Sequence, residues 1–542
     1  MKHWWQETVF YQIYPKSFKD SNGDGIGDIP GIISKLDYLQ NLGIGGIWLS
    51  PIYTSPQADN GYDIANYDDV DPIFGDMKDL NKLIFEAEKR DIRIIMDMIL
   101  NYTSDENHWF QEALKSKDNP YHDYYIWSDN GPDQIPNDIE SSFGGPSWTY
   151  VPHLKQWYYH HYSVKQPDLN WNNLDMRKNL YDVINRWIDR GIAGFRLDVI
   201  DEIAKDIPNK EIVRYPEIYD LIEELSANCF QAENHNNKDI FTVGEVWSAN
   251  PERAKRWSNP DGSQLSMVFQ LEHSLLDQDP ADKYDIVPLN LLKLKQTMSK
   301  WQTELRGEGW SSLVWENHDL PRIVSRWGND KDYRVESAKM FATLLLGMQG
   351  TPFIYQGQEI GMTNHHWREA DKYRDIEAFN LINQRDAKGR SLKDVFDALE
   401  AKSRDNARTP MQWDASENAG FTKGTPWIDV TDNYKEVNVA SEVNDPNSIF
   451  NHYKKLIQLR KDNDIFLNGY YELLLADDEE VFAYKRSTDK QELLVICNFY
   501  GNTIERELEE LIDDSKLALA NYDVKDINTL KPYEARMYLR NL

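Results

Sequence analysis

The sequence predicts an α/β protein whose main domain is a (β/α)8 TIM barrel. Two observations predict this fold: short apolar segments alternate with longer amphipathic segments over most of the chain, and charged residues follow several of the apolar segments. Alternating strands and helices are typical of parallel sheets, and eight such units close into a barrel. The active site of such a barrel lies at the carboxyl ends of its strands.

Eight apolar segments are the predicted barrel strands. The stretches 79–91 and 179–191 have the spacing of amphipathic helices and separate some of these strands. The predicted strands are 9–15, 43–50, 93–100, 194–200, 240–246, 267–272, 311–319 and 351–361.

Two or three domains are expected in a chain of 542 residues, and the sequence divides into three segments of different character. Residues 1–100 and 173–467 form the barrel in this interpretation, and 101–172, rich in Asp, Asn, Pro and Gly, form a subdomain inserted after the third strand. A second insertion, 362–415, follows the eighth strand. From 468 to 542, short strand-like runs between turns predict an all-β domain of the β-sandwich type.

The composition excludes several classes of function. A net charge of −30 opposes binding to nucleic acid or to an anionic membrane. Two cysteines, Cys229 and Cys497, can form neither a disulfide framework nor a zinc site. The amino-terminal residues lack the pattern of a secretory signal, and no apolar run reaches the ~18 residues of a membrane span. We therefore expect a cytoplasmic protein.

Candidate catalytic residues follow three of the predicted strands. In the segment GFRLDV, Arg196 and Asp198 share one face of a strand, and a charged pair is costly to bury without a purpose. Glu245 ends the strand in TVGEVW, and Asp319 ends the one in WENHD. Taken singly, each motif also fits a structural ion pair or a helix cap. Together they converge on one rim of a barrel, and glycoside cleavage requires a pair of carboxyl groups flanking the bond.

These motifs resemble glycoside hydrolase family 13, the α-amylase family. GFRLD, GEVW and ENHD stand in the order of its nucleophile, acid/base and third-carboxylate motifs, and DMILNY (97–102) matches another block. QPDLNW (166–171), NGYDI (60–64) and RTPMQWD (408–414) resemble its oligo-1,6-glucosidase branch, and most closely the glucan 1,6-α-glucosidases within it. The resemblance covers essentially the whole chain.

The resemblance implies a retaining, exo-acting enzyme that hydrolyses α-1,6-glucosidic bonds in oligosaccharides. Asp198 would be the nucleophile, Glu245 the acid/base and Asp319 the stabiliser of the transition state. Arg196 would keep the nucleophile ionised, and Val199 would influence linkage specificity. The family usually has Asn-His where this chain has Asn101-Tyr102. The residues implied to bind the terminal glucose are Tyr62, Asp63, Arg196, His318 and Arg408.

The loop DSNGDGIGD (20–28) is a candidate calcium site. Its alternating oxygen donors match the first nine positions of a calcium loop, but Gly31 replaces the bidentate Glu at the twelfth, which excludes an EF-hand. A plain polar turn is the alternative interpretation. The resemblance favours a structural Ca²⁺ ion, and its expected ligands are Asp20, Asn22, Asp24, the carbonyl oxygen of Ile26 and Asp28.

Two other functions remain open at this point. A trehalose-6-phosphate hydrolase of the same branch would share the carboxylates and would need a basic pocket for the phosphate. A non-catalytic relative would usually lack one of the three carboxylates, and all three are present. The expected partner is an oligosaccharide substrate, with no nucleic acid and no membrane, and we expect a monomer.

Overall fold

A computed structural model describes residues 2–235 and 237–542, and eight parallel strands form its central sheet. In sheet order the strands begin at Met267, Phe241, Gly194, Arg93, Gly46, Phe10, Thr351 and Ser312, and a parallel bridge between Val268 and Ser311 joins the two ends of the sheet. The predicted barrel is therefore confirmed. Its strands are β1 Phe10–Ile13, β2 Gly46–Leu49, β3 Arg93–Ile99, β4 Gly194–Asp198, β5 Phe241–Gly244, β6 Met267–Val268, β7 Ser312–Leu313 and β8 Thr351–Tyr355.

A helix follows each barrel strand in the chain. Asp76 and Asn173 cap two of these helices by accepting backbone N–H groups of the first turn, which explains where the helices begin. The helices are α1 Leu36–Leu42, α2 Met77–Glu88, α3 Leu174–Asp189, α4 Glu217–Leu225, α5 Pro251–Trp257, α6 Leu291–Glu304, α7 Arg334–Leu346 and α8 Ile449–Asp462.

The barrel interior changes from apolar to charged along the strands. Near their amino ends, Phe10 stacks on Phe241 and Phe353, with ring centroids 4.8 and 5.1 Å apart. Because alternate residues share one face of a strand, Asp97 lies one layer above Ile95 and Glu245 one layer above Val243. The apolar layer fills the base of the barrel, and the charged layer above it is the floor of a pocket.

Two insertions stand at the carboxyl end of the barrel. The segment between β3 and α3 contains a helix, His108–Ala113, and a three-stranded antiparallel sheet formed by Trp127–Ser128, Trp148–Val151 and Gln156–Tyr159. The segment after β8 contains the helices Ile376–Ala387, Leu392–Lys402 and Asp405–Arg408.

The carboxyl-terminal residues form a separate antiparallel sheet. Its strands, in sheet order, are Tyr470–Leu474, Val481–Ser487, Gln491–Asn498, Ala535–Asn541 and Lys516–Ala520. A two-stranded ribbon, Ile504–Glu505 with Thr529–Leu530, lies beside it in sequence. This sheet packs on the barrel through α7, where the hydroxyl of Tyr484 donates to the carbonyl oxygen of Leu344 at 2.8 Å. Within the described residues, no helix has the length and apolar character needed to cross a membrane.

Candidate active site

Arg196 joins the carboxylates at the ends of three neighbouring strands. Its Nη1 lies 2.5 Å from Asp97 and 2.6 Å from Asp198, and its Nη2 lies 2.5 Å from Glu245. Sequence reasoning predicted that Arg196 and Asp198 share a face and that Glu245 lies near them. It did not identify Asp97, which stands inside the apolar run of β3. Arg196, Asp97, Asp198 and Glu245 are together called the Arg196 side of the pocket.

The Arg196 side has three carboxyl groups for one guanidinium. Burial raises the pKa of Asp97 to about 6 against the opposing effect of Arg196. Burial also raises the pKa of Asp198, and the negative charges of Glu245 and Asp97 add to the rise while Arg196 opposes it. Since one cation cannot neutralise three anions, the cluster as a whole favours retention of one proton.

Three further groups orient the two central carboxylates. The hydroxyl of Tyr102 donates to Oδ2 of Asp198 at 2.8 Å. The indole N–H of Trp247 donates to Oε1 of Glu245 at 3.0 Å, and the backbone N–H of Val199 donates to its Oε2 at 3.1 Å. Val199 adopts φ 35° and ψ 48°, which is strained for a β-branched residue and directs its N–H towards Glu245.

Asp319 lies in a different environment, with arginine on one side and His318 on the other. Its Oδ1 accepts from Nη2 of Arg408 at 2.8 Å and lies 3.5 Å from Nη1 of Arg404. Its Oδ2 lies 3.1 Å from Nε2 of His318. The Asp319 side of the pocket is defined here as Asp319 and His318 with Asp59, Asp375, Arg404 and Arg408.

The arginines keep Asp319 ionised. Burial acts to raise the pKa of Asp319, but His318, Arg404 and Arg408 together hold it well below its usual range. Burial lowers the pKa of His318 to about 3, so its ring is neutral at physiological pH. The hydroxyl of Tyr62 lies 2.6 Å from Nε2 of His318 and donates to Asp97 at 3.0 Å, which connects the two sides.

Asp63 does not reach the pocket. Its carboxylate accepts from the backbone N–H groups of Ala58 and Asp59 and from the hydroxyl of Ser55, at 2.8, 2.9 and 3.1 Å. The pocket-lining acid of this loop is Asp59, whose Oδ1 lies 3.4 Å from Nη2 of Arg404. Loop amides occupy the oxygens of Asp63, so the carboxylate that this loop presents to the pocket is that of Asp59 and not that of the predicted Asp63.

The predicted residues that do line the pocket are Asp198, Val199, Glu245, Asp319 and Tyr62. Arg196, His318 and Arg408 lie directly behind them, each about 1% exposed, and act on the pocket through the contacts above. The pocket is a cavity of about 430 Å³.

The two insertions meet above the pocket. The side-chain amide of Asn380, on the helix Ile376–Ala387, donates to the carbonyl oxygen of Phe143 at 2.5 Å. The guanidinium of Arg404 lies over the ring of Phe143, 5.1 Å from its centroid. This contact closes one side of the barrel mouth.

The outer wall of the pocket carries paired charges. Lys283 forms an ion pair with Glu377, and Trp247 exposes about 40% of its surface beside them. Asp277 accepts from Arg326 and Lys402, each at 2.6 Å. Sequence reasoning did not identify this wall, since its members come from segments far apart in the chain.

In the loop 20–28, the carboxylate oxygens that were predicted to bind a metal accept hydrogen bonds, most of them from the loop's own backbone. Asp20 accepts from the amides of Asn22, Gly23 and Gly25 and from the hydroxyl of Thr422, and Asp28 caps the helix Ile29–Ile33. Burial acts to raise the pKa of Asp20, but these hydrogen bonds lower it. Among residues 2–235 and 237–542, no three acidic, His or Cys side chains form a metal-binding cluster. The donors are all oxygen, as Ca²⁺ prefers, so the loop chemistry fits the ion.

Comparisons with known proteins identify relatives over the whole chain. The model of the α-amylase catalytic domain matches residues 12–469. The chain is 49% identical to an oligo-1,6-glucosidase of Halalkalibacterium halodurans over 99% of each chain. It is also 49% identical to a glucan 1,6-α-glucosidase of Streptococcus pneumoniae over 98% of each chain. The crystal structure of trehalose-6-phosphate hydrolase from Bacillus licheniformis superposes with a TM-score of 0.93 at 45% identity, covering 99% of this chain and 100% of that one.

Proposed function

This chain belongs to the α-amylase family of glycoside hydrolases, and we propose that it is a retaining, exo-acting α-glucosidase that removes glucose from the non-reducing end of isomaltooligosaccharides through α-1,6 bonds. One observation carries the proposal. Asp198 and Glu245 accept from the two terminal nitrogens of one guanidinium at the floor of a partly closed pocket. Retaining glycosidases need two carboxyl groups close together on opposite sides of the scissile bond.

The reaction is a double displacement. Asp198 attacks the anomeric carbon while Glu245 gives its proton to the departing glycosidic oxygen, which leaves a covalent glucosyl ester on Asp198. In the second step Glu245 removes a proton from water, the water oxygen attacks the same carbon, and Asp198 leaves as a carboxylate. Asp319 remains ionised throughout and accepts hydrogen bonds from sugar hydroxyls. These hydrogen bonds strengthen as positive charge develops on the sugar ring.

Exo attack follows from the shape and charge of the pocket. The contact between Asn380 and Phe143 limits the length of the cavity on one side. Asp59, paired with Arg404, lines the pocket and would accept hydrogen bonds from the hydroxyl groups of a terminal glucose. An inner sugar of a polymer at this position would carry the next sugar in place of one of those hydroxyls. The buried charges would then lose a hydrogen-bond partner, which is costly.

Preference for an α-1,6 bond is supported by the outer wall and by the relatives. Trp247 offers an exposed indole face for the second sugar, and the Lys283–Glu377 pair offers both a donor and an acceptor for its hydroxyls. Two relatives at 49% identity are named for activity on 1,6-linked glucosides.

Trehalose-6-phosphate hydrolysis is the second candidate, and one atom favours it. Nη1 of Arg326 is buried without a hydrogen-bond partner in the described part of the chain, and Arg326 lines the pocket. A phosphate could accept from that nitrogen. However, Asp277 already neutralises part of the charge of Arg326 and Lys402, and Glu377 neutralises Lys283. A neutral second sugar therefore fits this wall better than a dianion.

A substrate panel tests the proposal. Purified enzyme is given isomaltose, an isomaltooligosaccharide of about six units, maltose and trehalose-6-phosphate at equal concentration, and early products are separated by chromatography. We expect the highest kcat/KM on the isomaltose series and, from the longer chain, glucose plus a chain one unit shorter. A higher kcat/KM on trehalose-6-phosphate would select the second candidate. Early fragments of intermediate length would contradict exo attack.

We also propose a structural Ca²⁺ ion in the loop 20–28. The side chains of Asn22 and Asp24 are exposed, and the loop presents oxygen donors at alternate positions. The loop is tied to the segment after the second insertion, because Asp20 accepts from the hydroxyl of Thr422 and the N–H of Trp427 donates to Gly25. A bound ion would therefore stabilise the junction between these segments.

A cytoplasmic location and a monomeric state stay predictions from the sequence. Cell fractionation and the mass of the purified protein in solution would test them.

A further inference from the structure

Tyr102 contacts the proposed nucleophile directly. The residue follows β3, its side chain is buried with about 3% exposed, and its hydroxyl donates to Oδ2 of Asp198 at 2.8 Å. Its ring lies against that of Tyr162, with centroids 5.3 Å apart, and its carbonyl oxygen accepts from the hydroxyl of Tyr67. Contacts on the ring and on the backbone therefore fix the position of the phenol.

The two oxygens of Asp198 are held by donors of different strength. Oδ1 accepts a charge-assisted hydrogen bond from Arg196, whose Nη1 is also held by Asp97. Oδ2 accepts from the neutral phenol of Tyr102. Both bonds end on an ionised carboxylate, but the bond to Oδ1 is also an ion pair with a guanidinium that Asp97 and Glu245 hold in place, so Oδ2 is the oxygen that can exchange its hydrogen bond for a covalent bond at the smaller cost.

We propose that Tyr102 is a positioning residue that holds Asp198 ionised, aims its Oδ2 at the anomeric carbon and releases that oxygen as the glucosyl ester forms. This inference rests on the proposed glucosidase function. In the step, the bond from Oδ2 to the anomeric carbon forms, the bond from that carbon to the glycosidic oxygen breaks, and the proton on that oxygen comes from Glu245. The hydroxyl of Tyr102 keeps its own proton and rotates about its C–O bond, so that it donates to the bound sugar instead of Asp198 while the ring stays in place.

The phenol is suited to this role because it remains a donor. Burial raises the pKa of Tyr102 well above its ordinary value, and the charge of Asp198 raises it further. A donor to a carboxylate stabilises its ionised form, so Tyr102 opposes the burial that raises the pKa of Asp198. The other charged or titratable groups facing Asp198 are Arg196 on its own strand, Asp97 on β3, Glu245 after β5, and Tyr62, Tyr67 and Tyr162 from the segments around it.

Tyr102→Phe tests the proposal, with Tyr125→Phe as the matched control. Tyr125 is also buried, and its hydroxyl pairs with Thr103 without lining the pocket. For Tyr102→Phe we expect kcat on nitrophenyl α-glucoside to fall about tenfold, with KM changed about twofold or less. The acid limb of kcat/KM should move to higher pH by about half a unit or more, because Asp198 loses a donor to its ionised form. Tyr125→Phe should lower the melting temperature without moving the acid limb.

Two further measurements separate positioning from a folding defect. A slow fluorinated α-glucosyl donor titrates the active sites, so every rate refers to folded enzyme. Tyr102→His keeps a donor at this place and should recover part of the kcat lost in Tyr102→Phe.

The inference would be overturned if Tyr102→Phe kept the kcat and the acid limb of the wild-type enzyme. Since α-glucosidase activity would be intact in that case, the proposed function would still stand. Absence of activity on every α-glucoside in the wild-type enzyme would instead overturn the proposed function.

Discussion

The Arg196 side and the Asp319 side of the pocket differ in how many arginines neutralise their carboxylates. Arg196 alone contacts three carboxyl groups, Asp97, Asp198 and Glu245. Arg404 and Arg408 together contact three on the other side, Asp59, Asp319 and Asp375. The pKa of Asp198 is raised by burial, whereas that of Asp319 is lowered despite burial.

This difference separates two kinds of work between otherwise similar side chains. A cluster short of cations retains a proton and can exchange it, which suits acid and base catalysis. A carboxylate with two guanidiniums beside it stays charged over the working range of pH, which suits binding of hydroxyls and stabilisation of a cationic transition state. The comparison assigns proton transfer and bond formation to one side and fixed negative charge to the other.

Glu245→Gln is expected to have the largest effect, because it removes the proton donor from the Arg196 side. Turnover of isomaltose should fall by about 10²–10⁴-fold. A nitrophenyl α-glucoside needs less acid assistance, so its first step, followed as a burst of nitrophenol, should fall much less. Equal losses on both substrates would show that Glu245 is not the acid.

Arg408→Gln weakens the Asp319 side by removing one of the two guanidiniums at Asp319. We expect kcat/KM to fall about 10- to 100-fold, as for loss of a buried charge-assisted hydrogen bond. Arg408 helps to depress the pKa of Asp319, so the variant should also lose more activity than the wild-type enzyme as the pH falls towards ~4.

Arg368→Gln is the control for this variant. Arg368 also lies on the second insertion, but it is half exposed and pairs with Asp397 and Glu400 at the surface. The pH profile of Arg368→Gln should match that of the wild-type enzyme. A pH-independent loss in Arg408→Gln would mean that Arg408 acts only by packing.

Val199→Ala should change linkage preference by a smaller factor. Val199 lines the pocket, and its backbone N–H contacts Glu245, which alanine retains. The smaller side chain widens the pocket edge, and we expect cleavage of maltose relative to isomaltose to rise by about tenfold or less. An unchanged ratio of the two kcat/KM values would move the source of selectivity to the outer wall around Lys283 and Glu377.

Calcium should have the smallest effect on catalysis. The segment just before the loop 20–28 contacts the Asp319 side, since the hydroxyl of Ser17 donates to the carbonyl oxygen of Arg408 at 2.5 Å. Chelation should lower the melting temperature by about 2 °C and leave kcat at low temperature almost unchanged. Asp24→Asn should reduce the thermal shift on adding Ca²⁺ back. No shift in the chelated wild-type protein would count against the site.

The fold was predictable from the sequence because its signals are local. Each of the eight apolar runs became a barrel strand, but several strands are shorter than the runs. The segment 311–319, for example, forms a strand only at Ser312–Leu313. The remaining residues of that run leave the sheet and carry His318 and Asp319 into the site, so pairing ends where the site begins.

The site was predictable where a motif fixed both position and direction, as for Asp198 and Glu245. The sequence could not show which of Asp59 and Asp63 lines the pocket, because both stand in one loop. Only the folded backbone determines which of the two carboxylates accepts hydrogen bonds from the amides of the loop. Arg404 could have been found, since it stands four residues before Arg408 and that spacing places two side chains on one side of a helical turn. Asp97 could also have been found, since it is the first residue of the family motif DMILNY, although nothing else distinguishes it within its apolar strand.

The most direct test of the division between the two sides is to identify the residue that forms the covalent intermediate. A slow fluorinated α-glucosyl donor would trap the glucosyl-enzyme, and mass spectrometry of its peptides would locate the label. The account predicts one glucosyl group on Asp198 and none on Asp319, with the α anomer as the first product of isomaltose by NMR. A label on Asp319, or a first product in the β configuration, would contradict it.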